Sequence, residues 1–118
     1  KGKEGADEIE AMMKNYRANP PVTLGGSPVI FIKDYAKLEG IDRVRDEQVA
    51  LEMTTTSNVL QYFTEDGSKL SIRPSGTEPK IKYYIEVKGP SVKSREEIAN
   101  AQKLADQKIE AIREELGI

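Results

Sequence analysis

The chain has no cysteine and no histidine. Without thiols it can form no disulfide and no thiolate-bound metal site. Without imidazole it lacks the usual zinc ligands and any Ser-His or Cys-His nucleophile pair. No apolar run approaches the roughly 20 residues that cross a bilayer, and no secretory leader opens the sequence, so no membrane partner is expected. The lack of cysteine suits a reducing compartment, and a cytoplasmic location is expected. A strong charge of one sign is also missing. The 18 basic and 20 acidic residues leave a net charge of -2, which argues against a broad nucleic-acid surface. No repeat or long low-complexity segment is evident. The 118 residues fit one domain, 1–118, with one core.

What is present reads as helix, strand, an ambiguous stretch, hairpin, strand, helix. Lys3 to Asn19 carries Ile9, Met12, Met13 and Tyr16 at helical spacing, with Asp7 and Glu8 near its start and Pro20-Pro21 as its stop. Val29 to Ile32 is a short buried strand between turn-like flanks. Tyr35 to Ser57 fits a short helix, a strand or an irregular loop; its charges around Asp42 to Glu47 read as a solvated face. The Thr54 to Ser57 run reads equally as linker or strand. Asp66-Gly67 predicts a two-residue type I′ hairpin that pairs Thr64 with Lys69, Tyr62 with Ser71 and Leu60 with Arg73. In that register Val59, Gln61 and Phe63 share a face with Leu70 and Ile72. Gln61 is then a polar group on an apolar face, near an edge or hydrogen-bonded. The last helix begins at a Ser94/Glu97 capping box and ends at Gly117, with a stripe of Ile98, Ala101, Ala105, Ile109, Ile112 and Leu116. Strands clustered between two helices predict an α+β layer fold: a small antiparallel sheet of about four strands with two main helices on one face.

Arg73 to Lys82, Arg-Pro-Ser-Gly-Thr-Glu-Pro-Lys-Ile-Lys, is the most informative segment. Arg73 offers a planar fork for phosphate oxygens. Ser75 and Thr77 offer hydroxyl donors. Gly76 lets the backbone turn tightly and bring N–H groups to an anion. Lys80 and Lys82 add charge, and Pro74 and Pro79 stiffen the ends. Ile81, Tyr83, Ile85 and Val87 alternate with Lys80, Lys82, Tyr84 and Glu86, which is a half-buried strand. Leu70 and Ile72 alternate likewise with Lys69, Ser71 and Arg73. If both apolar faces meet one core, Arg73 and Lys82 emerge together on the polar side. A plain Ser-Gly-Thr turn beside surface lysines would have the same composition; the convergence of basic groups favours an anion site.

This loop, together with the Val59 to Leu70 stretch that leads into it, resembles the phosphate-binding segment of the alpha-D-phosphohexomutases. The family pattern is Arg-x-Ser-Gly/Asn-Thr followed by a basic residue, and the resemblance is strong from about Val59 to Val87. It implies that this chain is the last of four domains in a larger mutase, with a TATA-binding-protein-like fold. It also implies that Arg73, Ser75, Gly76 and Thr77 bind the non-reacting phosphate of a hexose phosphate. Lys80 and Lys82 join them as candidates, Lys82 standing where several members have arginine. Glu78, an acid inside an anion loop, is expected to point away.

The resemblance implies the rest of the reaction as well. A phosphoserine on the first domain and a magnesium ion on the second interconvert hexose 1-phosphate and hexose 6-phosphate through a bisphosphate. Neither motif is visible here. The chain is therefore expected to hold no catalytic residue, no metal and no cofactor of its own, to be inactive alone, and to work with the other domains of the same polypeptide by closing the active site. The Lys-Ile-Lys-Tyr-Tyr continuation looks more like the phosphoglucomutase and phosphopentomutase branch than the glucosamine branch. Mannose or pentose phosphates remain alternatives, as does a non-enzymatic module that binds phosphorylated groups. Tyr83 is expected to face the core, which leaves one exposed aromatic and no stacking platform for nucleic acid.

Overall fold

The computed structural model describes residues 2–53, 55–88 and 94–118. The elements run α1 (Gly2–Ala18), β1 (Thr23–Leu24), β2 (Ser27–Asp34), β3 (Glu39–Asp42), β4 (Glu47–Ala50), β5 (Leu60–Thr64), β6 (Lys69–Pro74), β7 (Ile81–Glu86) and α2 (Arg95–Leu116). All strand pairs are antiparallel, in the order β4-β3-β2-β5-β6-β7, with β1 paired to β2. The molecule measures 50 × 38 × 24 Å, and the thin dimension fits one sheet plus one helical layer. This is the expected α+β architecture, but the sheet has seven strands among the described residues where about four were expected.

The added strands are β1, β3 and β4. The β1–β2 turn is Gly25-Gly26, both at positive φ (59° and 80°), as a tight two-residue hairpin requires. The β3–β4 hairpin occupies the stretch that the sequence left open. Asp42 Oδ1 accepts from the N–H groups of Val44 and Arg45 at 3.0 Å, and Asp46 takes a left-handed φ of 54°. Asp serves both roles because its short side chain caps its own turn and tolerates that conformation. The charged run is thus a solvated turn. All of β4 is exposed, so burial imposes no alternation on it. Residues 55–59 form an irregular link to β5, fastened where Ser57 N–H donates to the Tyr35 carbonyl; Thr54 lies outside the described residues.

The core lies between one sheet face and the helices. It contains Met13 from α1, Leu24, Val29, Ile32, Leu60, Tyr62, Leu70, Ile72 and Ile81 from the strands, and Ile112 from α2. Val29 and Ile32 point the same way despite odd spacing because β2 carries a register shift between Val29 and Phe31.

The expected hairpin register is off by one. Leu60 faces Ile72, Gln61 faces Ser71, Tyr62 faces Leu70 and Phe63 faces Lys69. The loop is three residues long, Glu65-Asp66-Gly67. Gly67 N–H donates to the Thr64 carbonyl, Thr64 N–H to the Ser68 carbonyl, and Gly67 sits at φ 89°. That is a turn followed by a left-handed glycine, not a type I′ turn. Since side chains alternate, the one-residue slip exchanges the faces. Leu60, Tyr62 and Thr64 are buried with Leu70 and Ile72, while Gln61 and Phe63 lie on the outer face. The difficulty with Gln61 disappears, because its amide accepts from the Tyr35 hydroxyl (2.7 Å) and donates to Ser71 Oγ (3.0 Å).

α1 ends before Pro20 and Pro21, as expected, and buries Met13 while Met12 stays exposed. It is fastened to the sheet by polar contacts. The Tyr16 and Tyr83 hydroxyls lie 2.8 Å apart, Tyr62 donates to the Tyr16 carbonyl, and Arg17 pairs with Asp34. α2 shows the expected caps: Ser94 Oγ accepts from Glu97 N–H, and Gly117 adopts φ 73°. Its apolar stripe is only partly used. Ile112 is its one described buried residue, while Ile98 is half exposed. The packed end is held where Ile112 and Lys108 meet Gly25 and where Lys108 pairs with Asp66. No helix among the described residues is long and apolar enough to cross a membrane.

Candidate functional site: an anion loop at the sheet margin

β6 and β7 bring the candidate residues together. Their buried faces are set by Leu70, Ile72 and Ile81, so the alternating positions Ser71, Arg73, Lys82 and Tyr84 project from the outer face. Arg73 and Lys82 share the polar face, as the alternation suggested, and are direct cross-strand partners. Two like charges placed opposite each other repel. Among the described residues no carboxylate forms an ion pair with either one. The partner of Arg73 is Tyr84, whose hydroxyl accepts from Nη2 at 3.2 Å and whose ring centroid lies 5.7 Å from the guanidinium carbon.

The connecting loop is closed by Ser75 N–H donating to the Lys80 carbonyl at 2.8 Å. Pro74, the last residue of β6, and Pro79, two residues before β7, donate no backbone hydrogen bond. Ser75 Oγ faces the N–H groups of Thr77 and Glu78 at 3.4 and 3.3 Å. Those two donors are therefore turned inward on a serine oxygen and held only by long bonds. Thr77 is exposed. Gly76 does not take a left-handed φ, and a Cβ there would meet nothing within 4 Å. Its contribution is bare, open backbone rather than a conformation closed to other residues.

Lys80 stands apart from the other two cations. Its Nζ lies 3.6 Å from Glu78 Oε1, with both side chains more than half exposed. Glu78 thus turns towards Lys80 instead of simply pointing away. A cleft of about 530 Å³ runs between the loop and α1, lined by Ser75, Gly76, Thr77, Glu78, Ile9 and Glu10 among others. It contains two carboxylates and neither Arg73 nor Lys82, so this cleft beside the loop is not where positive charge collects. α1 supports the loop closely on this side. A Cβ built on Gly5 would lie 2.6 Å from Pro79 Cβ, so the helix can approach only as glycine.

In the sequence Tyr84 reads as a lone exposed aromatic. The signal that could have found it is its place on the polar side of the strand, two residues after Lys82 and diagonal to Arg73. The hydrogen bond from Arg73 lowers the pKa of its phenol, with the nearby charges of Arg73 and Lys82 acting in the same sense. Tyr83, on the inner face, shows the opposite: burial and the Tyr16 hydrogen bond raise it. Among the described residues no cluster of three or more Asp, Glu, His or Cys side chains could hold a metal ion.

The comparisons with known proteins agree on a family. The model for the phosphoglucomutase/phosphomannomutase C-terminal domain matches residues 3–105. A phosphoglucomutase of Staphylococcus aureus (strain MRSA252) is 38% identical over 89 residues, covering 75% of this chain and 16% of its own length. The phosphoglucomutase of the bovine strain RF122 / ET3-1 is 38% identical over 90 residues, covering 76% and 16%. The chain therefore spans about one-sixth of the length of these curated relatives. No solved structure matches it significantly. With the matched region covering most of the sequence, including the whole anion loop, the chain belongs to the phosphoglucomutase/phosphomannomutase C-terminal domain family.

Proposed function

We propose that this chain is the phosphate-gripping domain of a hexose-phosphate mutase. The observation that carries the reading is the facing pair Arg73 and Lys82, which form no ion pair with a carboxylate among the described residues, at the base of a loop whose Gly76 and Thr77 are exposed. A dianionic phosphate placed there would relieve the repulsion between the two cations. It would also recruit Ser75, Gly76 and Thr77 from the loop. Lys80 would join after leaving Glu78.

Holding the phosphate that does not react positions the far end of the sugar, so binding energy at a distance serves the chemical step. In this reading the reacting serine and the magnesium ion belong to other domains of the polypeptide. The metal would stabilise charge during phosphoryl transfer. The described residues form no site for it, and no step here depends on it. The whole protein would be an isomerase of the phosphoglucomutase type, this domain closing over the sugar phosphate, and the chain alone would be inactive.

The test is an NMR titration with glucose 1-phosphate, glucose 6-phosphate and glucose. One phosphate site without its neighbouring domains is expected to bind at about millimolar affinity. Shifts confined to Arg73–Lys82, seen with both phosphates, absent with glucose and lost in Arg73→Ala, support the reading. Identical responses to glucose and the phosphates, or an unchanged response in Arg73→Ala, overturn it.

A further inference from the structure

Each ion pair among the described residues joins a cation to a carboxylate: Arg17 to Asp34, Lys69 to Glu86, Lys80 to Glu78, Lys108 to Asp66 and Arg113 to Glu110. Other cations have neutral partners through one contact each, Lys33 over the Phe63 ring and Arg43 on the Pro21 carbonyl, whereas Arg73 is held twice by one residue. Its partner is a neutral phenol that touches it twice, by a hydrogen bond from Nη2 and by a ring beneath the guanidinium. A long arginine side chain loses rotamer freedom when it binds, and holding it in place beforehand removes part of that cost. A carboxylate would hold it as well, but would neutralise the charge and compete with an incoming phosphate. A phenol holds it without doing either.

We propose that Tyr84 is a positioning residue for the anion site, holding the Arg73 guanidinium on the outer sheet face with its charge available to the phosphate of a sugar phosphate. This rests on the reading of Arg73 as the phosphate grip. The surrounding sheet supports the geometry. Tyr84 faces Ser71 across the β6–β7 ladder, and Arg73 is the next outward residue along β6, so the two form a diagonal pair. Ser71 is itself fixed by Gln61, which is fixed by Tyr35. A small, tethered side chain opposite Tyr84 leaves the ring room to lie along the strand towards Arg73. The rest of the row is held from β5 and the segment after β2.

The test compares wild type, Tyr84→Phe, Tyr84→Ala, Arg73→Ala and the double variant Arg73→Ala/Tyr84→Ala, each titrated with inorganic phosphate and with glucose 1-phosphate. Binding is read from loop amide shifts, and stability from urea midpoints. Tyr84→Phe keeps the ring and loses the hydroxyl, and should bind about threefold more weakly. Tyr84→Ala should bind about tenfold more weakly, because ordering the arginine then falls on the binding step. The urea midpoints should stay put. In the Arg73→Ala background, Tyr84→Ala should cause no further loss, since a residue that acts through another has nothing left to act on. Wild-type affinity in Tyr84→Ala alongside a loss in Arg73→Ala overturns this inference and leaves the phosphate reading standing. So does an equal loss with and without Arg73. Wild-type affinity in Arg73→Ala overturns both.

Discussion

Two arginines on opposite sides of the sheet show how one side chain serves two ends. Arg17, near the end of α1, places Nε 3.0 Å from Asp34 Oδ2, and both side chains are largely buried. Asp34 also accepts from the N–H groups of Ala36 and Lys37 through Oδ1, so its carboxylate is shared between helix and turn. The charge is consumed inside the fold, and Arg17 Nη2 is left buried without a partner. Arg73 lies on the exposed face beside another cation and leans on a neutral ring. Its charge is not consumed. The first arginine holds the helix to the sheet. The second stays at the surface and forms no ion pair with a carboxylate among the described residues.

The comparison breaks first at Asp34. Removing that carboxylate strands the Arg17 charge and leaves turn donors unpaired, so Asp34→Ala should cost about 3 kcal/mol in urea unfolding. Any fraction still folded should respond to phosphate as wild type does. A small stability loss would mean that Arg17 is not the anchor described. Next in size is Arg73→Lys, which keeps the charge but loses the fork and the stacking. Phosphate binding should weaken about tenfold, with stability moving by less than about 0.5 kcal/mol. Equal binding in this variant would show that charge alone suffices at that position.

The tyrosines sharpen the contrast through pH. Burial raises the pKa of Tyr62, which is fully enclosed, and that of Tyr83 beside Tyr16, whereas Arg73 lowers that of Tyr84. In the unfolded chain all three ionise near pH 10. A phenol held neutral in the fold contributes stability that is complete below that value and is lost as pH rises through its higher folded pKa. Stability should therefore fall above about pH 10, by up to about 1 kcal/mol per pH unit for Tyr62. Phenolate absorbance should show Tyr84 ionising first, and Tyr84→Phe should remove that early phase alone. The smallest effect belongs to Glu78. Its exposed pair with Lys80 is weak, so Glu78→Gln should raise phosphate affinity only about twofold, read in the same titration.

Much of this was legible in the sequence where burial enforces a period. Both helices, the strands β6 and β7 and the placing of Arg73 and Lys82 on one polar face follow from periodicity against one core; their direct facing is a matter of register. Helix ends were legible from Pro20, Ser94 and Gly117, because caps are local chemistry. The β3–β4 hairpin was not, since an exposed strand carries no apolar signal. The faces of β5 were misread because Asp-Gly serves two turn types, and one extra loop residue reverses a strand. In the site, composition marked Ser75, Gly76, Thr77 and the cations. It did not show that Lys80 is tied to Glu78 or that Tyr84 lies under Arg73, because both depend on where side chains turn after the backbone is set.

Among the described residues β7, which carries Lys82 and Tyr84, is the last strand of the sheet and pairs only with β6. Lifting it away would break one ladder, whereas moving β5 or β6 would break two. Amides on β7 should therefore exchange with solvent sooner than those of its inner neighbours. If Arg73 and Lys82 grip a phosphate as proposed, a site on such a margin can be reshaped from outside while the packed centre stays as it is.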